Sequence, residues 1–364
     1  MTIASTERTY NLAQYEGWKT RFEAPRRSKP ADMSVDEIKA LSRRDRLIYN
    51  ESRSVWHANL GPYLTPGMTE VIDQIDLIVQ ANRQDGDRVR SAVALDAYPG
   101  LGKTTLAVYY ASGFHRDQMD MHGPTTDTGH DRIPVAFVRL TSNTTMKSLN
   151  SALCHFYAHP SANRGSATVL GTRASERALE SGTRLIVIDD VHFLDMNRQD
   201  GREVANHFKW LANEFQATFM FVGVGLTDRG LFNEGLGPTR VHFAQTARRW
   251  TRASIAPFHI EDNDGRRTWR RLLLAIERDL VLANKTPGML ADDLADYLFA
   301  RSTGHFASLM TLLARGCQQA IKSGNERLTA SGLNLIRNDD ASEQARRQLE
   351  ASMKHGRISA RVTA

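Results

Sequence analysis

The spacing of apolar residues changes near residue 90. Before it, apolar positions recur at helical intervals. Val71, Ile72, Ile75, Ile78 and Val79 follow Thr65-Pro66 and predict a helix with proline in its first turn. Upstream, Ser34 with Glu37 three residues later reads as a capping box. It opens a helix expected to continue through residues 37–60, with Ile38, Leu41, Leu47, Ile48, Val55 and Trp56 among its charges. From residue 90, short and nearly continuous apolar runs alternate with longer helical patterns. The runs are SAVALD (91–96), PVAFVRL (134–140), RLIVID (184–189), ATFMFVG (217–223) and RASIAPF (252–258). Strands this apolar, separated by helices, predict a parallel sheet buried on both faces, hence a three-layer α/β domain of five strands.

After Phe258 only helical spacing remains, in residues 266–280, 289–302 and 306–324. Four regions result: an N-terminal arm and helical segment (1–64), an α/β core (65–258), a small all-helical domain (259–338) and a basic tail (339–364). The first 30 residues are polar, end in the basic cluster Arg26, Arg27 and Lys29, and read as an arm or linker. The tail carries Arg346, Arg347, Lys354, Arg357 and Arg361 with little apolar content, and is expected to be a helix fraying into disorder.

Composition narrows the class. A chain of 364 residues can bury one large core and a smaller one, and 41% hydrophobic with 24% charged residues is ordinary for a globular protein. No apolar stretch is long enough to span a bilayer, and the first 17 residues contain no secretory signal. Cys154 and Cys317 lie at no metal-ligand spacing, so they are expected as buried thiols in a cytoplasmic protein. The net charge of +6 favours polyanionic partners, once the chemistry supplies a reason for one.

The chemistry starts between the first strand and the helix after it, at Ala97, Tyr98, Pro99, Gly100, Leu101, Gly102, Lys103, Thr104 and Thr105. This is the phosphate-loop pattern G-x-x-x-x-G-K-[ST], with Ala97 in place of the first glycine. Gly100 and Gly102 allow the backbone to turn its N–H groups toward phosphates, and the following helix N-terminus adds a favourable dipole. Lys103 is suited to the β- and γ-phosphates, and the Thr104 hydroxyl to Mg2+. The third strand ends in Asp189 and Asp190. Asp189 suits the metal of a Mg2+–ATP complex. Asp190 stands where a glutamate usually orients the attacking water, and it is one methylene shorter. A misplacement of about 1 Å costs on the order of a hundredfold in rate, so binding is better supported than fast hydrolysis. The fourth strand has no polar tip, and Thr227 and Asp228 are the nearest polar residues after it.

The runs DAYPGLGKTT, VAFVRL, RLIVIDDVHFL, HFKWLANEFQATFMFVGVG, ARRWTRASIAPF and STGHFASLMTLLARGCQQAI together resemble the TniB/TnsC-like AAA+ ATPases of transposons, over about residues 60–337. They resemble especially the forms beside Mu-type integrases in actinobacterial mobile elements. The resemblance implies a P-loop AAA+ core with a helical lid and an extra strand between the two nucleotide segments. It also implies an ATP-dependent regulator of transposition that assembles on duplex DNA as a ring or filament and recruits or activates a DDE transposase. Arg249, beside Arg248, matches the position of an arginine finger reaching the neighbouring subunit's γ-phosphate. The lid's sensor arginine is replaced by Ala307. Thr144, Thr145 and Lys147 stand where a similar region of these ATPases faces the duplex; hydroxyls and a lysine at a helix start suit backbone phosphates, and equally an ordinary helix cap. Two other functions stay open: a signalling or defence NTPase that oligomerises without DNA, and a nucleotide-locked scaffold that does not hydrolyse ATP.

Overall fold

The computed structural model describes residues 7–85, 90–142, 144–193, 207, 210–211, 214–226, 250–354 and 358–361. The five expected strands form one parallel sheet: β1 Ala92–Ala97, β2 Val135–Arg139, β3 Leu185–Asp189, β4 Thr218–Gly223 and β5 Trp250–Ile255. Their order is β2-β3-β4-β1-β5, so β4 stands between β1 and β3. β1, β3 and β4 are buried along their whole length, which explains their unbroken apolar runs.

Helix α1 spans Tyr15–Glu23, α2 Val35–Ala40, α3 Arg43–Ala58 and α4 Pro66–Ala81. Then come α5 Lys103–His122, α6 Met146–Phe156 and α7 Ala167–Glu180. In α4 the side chain of Thr65 accepts from the Met68 N–H, and Met68, Val71, Ile75 and Val79 are buried against the sheet core. After β5 the chain is helical: α8 Asn263–Asp279, a π turn Met289–Asp293, α9 Ala295–Ser302, α10 Phe306–Ser323, α11 Ala330–Asn334 and α12 Asp340–Lys354. These elements bury a second cluster that includes Trp269, Leu273, Leu298, Leu309 and Leu313.

Three expectations are corrected. The helix opened by Ser34 has its capping box, but it does not run on to residue 60. Leu41 is extended, and the Ser42 hydroxyl accepts from the Asp45 N–H at 3.1 Å, starting a new helix. Nor are residues 7–30 a bare arm. Trp18 of α1 is 1% exposed, donates its indole N–H to His115 Nδ1 at 3.0 Å and stacks on Phe137 of β2. α3 instead packs on the helical unit. Arg53 makes a buried two-pronged ion pair with Glu326 (2.6 and 3.0 Å), Trp56 donates to the Asp279 carbonyl, and His57 accepts from the Val281 N–H. The N-terminal segment is therefore anchored at one end to the sheet and at the other to the helical unit.

Of the tail, Asp340–Lys354 form α12, the helix expected there, and residues 358–361 are held against the helical unit. Glu343 of α12 receives the buried Arg301 guanidinium at 2.8 Å, and farther on Ser359 and the Ala360 N–H bond to Asp296. A partner donated from elsewhere holds a segment that lacks apolar content of its own. Both cysteines are buried and free, as expected. No helix among the described residues is long and apolar enough to cross a membrane.

Candidate nucleotide-binding site

The site lies at the C-terminal ends of the strands, where β1 passes into α5 and β3 ends. Gly100 (φ +76°) and Gly102 (φ +85°) both adopt the left-handed backbone that a side chain would strain, and Gly102 directly precedes α5. This is why the loop needs glycine at both positions. Leu101 between them is buried. The Lys103 ammonium curls back over the loop and donates to the Tyr98 carbonyl at 2.9 Å. Burial holds Lys103 below its ordinary pKa, opposed by the negative charges of Asp189, Asp96 and Asp190.

β3 brings its acidic end to the loop. The Thr104 hydroxyl lies 3.0 and 3.2 Å from the two carboxylate oxygens of Asp189. Burial raises the Asp189 pKa, and Asp190 adds to this; the Thr104 hydrogen bond and the Arg139 charge act the other way. A hydroxyl and a carboxylate converging from two elements are a donor set that suits Mg2+. Asp190 has φ +61°, which aspartate tolerates better than most residues. Its backbone N–H donates to Asp189 Oδ1 at 3.0 Å.

The geometry adds residues that were not singled out from the sequence. Arg139, the last residue of β2, sits in register with Asp189 and bridges both acids, 3.2 Å from Asp189 and 3.3 Å from Asp190. Asp96 on β1 is buried and pairs with Arg252 of β5 at 3.4 Å. A cation closing a buried apolar strand was a readable signal for Arg139, because a charge there needs a carboxylate nearby. Beside Leu101 opens a cleft of about 510 Å³, walled by Thr65, Met68 and Val71 at the α4 start and by Pro257, Phe258 and Phe306. Its mixed lining, with Phe258 and Phe306 among polar groups, and its place next to the loop suit a flat heterocycle.

The helical unit touches the loop directly. The Ala307 N–H donates to the Gly100 carbonyl at 2.9 Å, and the Phe258 N–H donates to the Gly304 carbonyl at 2.9 Å. Position 307, where the sensor arginine was expected, thus lies against the phosphate loop and carries only a methyl group.

Residues 97–105, Asp189 and Asp190 are brought together. Thr144, Thr145 and Lys147 are not: they follow β2, at the sheet edge, separated from β1 by β3 and β4. The Thr145 hydroxyl accepts from the Ser148 N–H as the cap of α6, the Thr144 hydroxyl donates to the Thr141 carbonyl, and Lys147 is exposed. Arg248, Arg249, Thr227 and Asp228 lie outside the described residues.

Comparison with known proteins agrees with this geometry. Residues 87–227 match the family model of an AAA domain. No curated protein matches the chain. Among solved structures, the chain is similar to the Aeropyrum pernix Orc1 protein in complex with DNA, at 15% identity and a TM-score of 0.57, covering 82% of this chain and 69% of that one. It is also similar to Cdc6p from Pyrobaculum aerophilum, at 16% identity and TM-score 0.52, covering 76% and 67%. Drosophila ORC bound to DNA follows at 11% identity and TM-score 0.52, covering 88% and 72%. At these identities the likeness is one of fold. The extra strand beside β1, the phosphate loop, the acidic end of β3 and the matched AAA domain agree: this chain has the AAA+ P-loop fold.

Proposed function

We propose that the protein is an ATP-dependent, DNA-binding regulator of transposition that oligomerises on duplex DNA and recruits or activates a DDE transposase. The observation that carries the nucleotide part is the convergence of Thr104 and Asp189 beside a loop whose two glycines are left-handed. In this reading the amides of residues 100–105 surround the phosphates of Mg2+–ATP, and Lys103 leaves the Tyr98 carbonyl for the β- and γ-phosphates. Thr104 and Asp189 hold the metal. The cleft beside Leu101 takes the adenine.

Two features point to slow turnover. Asp190 is short for a water-orienting carboxylate, and Arg139 holds it in an ion pair. Ala307 brings no charge to the phosphates. ATP then acts chiefly as an assembly switch, with Arg249 completing the neighbouring subunit's site. The transposition role rests on the sequence resemblance. DNA binding is further supported by the basic charge and by the fold shared with Orc1 and ORC structures solved with DNA.

The test is assembly on duplex DNA, followed by electron microscopy and by sedimentation with and without a non-hydrolysed ATP analogue. Rings or filaments are expected only with nucleotide, and they should weaken as salt rises. Lys103→Ala should lower ATP affinity by about 10- to 100-fold, the worth of a charge-assisted phosphate contact, and abolish assembly with it. Equal ATP affinity in that variant would sink the nucleotide reading. DNA binding indifferent to nucleotide would sink the switch.

A further inference from the structure

The strands run parallel, so the residues before them gather at the sheet end opposite the phosphate loop, about 20 Å away across six-residue strands. A cleft of about 1290 Å³, the larger of the two described, opens there and runs along α4 and α5 as far as Thr105. Its walls come from three parts of the chain. Arg26 belongs to the link between α1 and α2, Arg90, Arg116 and Arg184 to the sheet unit, and Arg278 to the end of α8.

The charge is one-sided. Nine arginines and four aspartates line the cleft, with no lysine or glutamate among the described residues, an excess of five positive charges in a chain whose net charge is +6. Two of the aspartates are engaged, Asp76 by the Tyr110 hydroxyl at 3.0 Å and Asp279 by the Tyr63 hydroxyl at 2.9 Å. Neither Arg26 nor Arg184 has a carboxylate partner among the described residues, and both are exposed. Arg90, before β1, is held below the usual guanidinium range by burial and then by the Arg184 charge. An outside anion would relieve the repulsion between Arg90 and Arg184.

The ligand's class follows from the distribution. The cations are spread around a long cleft rather than converging on a point, which suits a repeating charge more than a single ion. All of them are guanidinium forks, which bind phosphate oxygens in pairs. We propose that this cleft holds the phosphodiester backbone of a nucleic acid, at a place separate from the segment that follows β2. The inference rests on the DNA-binding reading above and extends it. Because the cleft borrows a wall from the helical unit, which also touches Gly100, a bound strand would bridge the parts that meet at the nucleotide.

The experiment uses the full-length chain with a non-hydrolysed ATP analogue and two labelled probes, a duplex and a single strand of the same sequence, titrated across several salt concentrations. The variant is Arg26→Gln/Arg184→Gln. Its Kd should rise by about tenfold per lost phosphate contact near 0.1 M salt, and the slope of log K against log salt should become shallower by about two. ATP affinity and Tm should not change. A loss confined to one probe identifies the duplex or the single strand as the occupant. If the double variant lowers Tm, Arg278→Gln, at a side chain 78% exposed, repeats the measurement with a slope change of about one. A parent that binds DNA while both variants match it in affinity and slope overturns this inference and leaves the proposed function standing. A parent that binds no DNA under any nucleotide condition overturns both. A poly-glutamate peptide that binds the parent but not the variant, with DNA binding unchanged, overturns it in favour of an acidic protein partner.

Discussion

The two ends of the sheet are built on opposite electrostatic plans. At the C-terminal ends of the strands, Thr104 meets Asp189, Arg139 spans Asp189 and Asp190, and Arg252 pairs with Asp96, all within 3.4 Å. At the N-terminal ends, arginines outnumber carboxylates, and the Arg184 charge acts on Arg90. The first end holds a satisfied network that a ligand must reopen, so binding there exchanges partners. The second has fewer carboxylates than cations, with Arg278 paired to Asp279 but Arg26 and Arg184 facing no carboxylate among the described residues, so an anion arriving at those two displaces little. A site meant to switch and a site meant to hold differ in this way before any ligand appears.

The largest effect should come from cutting the second end away from the sheet. Trp18 anchors α1, which leads into the wall of the arginine cleft. Trp18→Ala should cost about 3–5 kcal/mol in urea unfolding, as for other buried aromatic truncations. A loss below about 1 kcal/mol would mean that α1 is not part of the core. Acid should come next. Burial lowers the His115 imidazole, from its ordinary 6.5 to about 4, and the Arg116 charge adds to this. His57 is lowered to about 4 as well, by burial and then by the Arg53 charge. Between these values the unfolded chain takes up protons that the folded chain refuses. Stability is therefore fully present above about pH 6.5 and declines as pH falls toward 4. Thermal melts across that range should show the decline, and His115→Gln, which keeps an acceptor for Trp18, should flatten it. An unchanged pH slope would break the assignment. The smallest effect belongs to the first end. Arg139→Ala frees Asp190 from a half-exposed ion pair worth up to about 1 kcal/mol, so ATP turnover should rise by about fivefold. A fall in turnover would show that Arg139 assists the chemistry instead of restraining it.

Much of this architecture was legible in the sequence, for identifiable reasons. Strands buried on both faces announce themselves as continuous apolar runs, and the phosphate loop is local, so its glycines and lysine sit together in the sequence as they do in space. The misses share the opposite property. Trp18 is a single large apolar residue among polar neighbours, and its meaning depends on His115 and Phe137, far along the chain. Arg139 takes its partners from β3, and α12 gains its order from Arg301. The break at Leu41 was local and could have been read: Ser42 followed by Asp45 is a helix-start signal, obscured by the apolar spacing that continues through it.

The pairing of Arg53 with Glu326 spans 273 residues, and the Trp56 bond to Asp279 spans 223. Arg53 and Trp56 of α3 therefore take partners that are made more than two hundred residues later in synthesis. Until then α3 can pack only on its neighbours, as Tyr49 does on Ile38 and the Ala31 carbonyl, and its docking on the helical unit waits for that later stretch. Translation halted before residue 326 would leave Arg53 without its carboxylate, so the defect would surface 273 residues upstream of the missing partner.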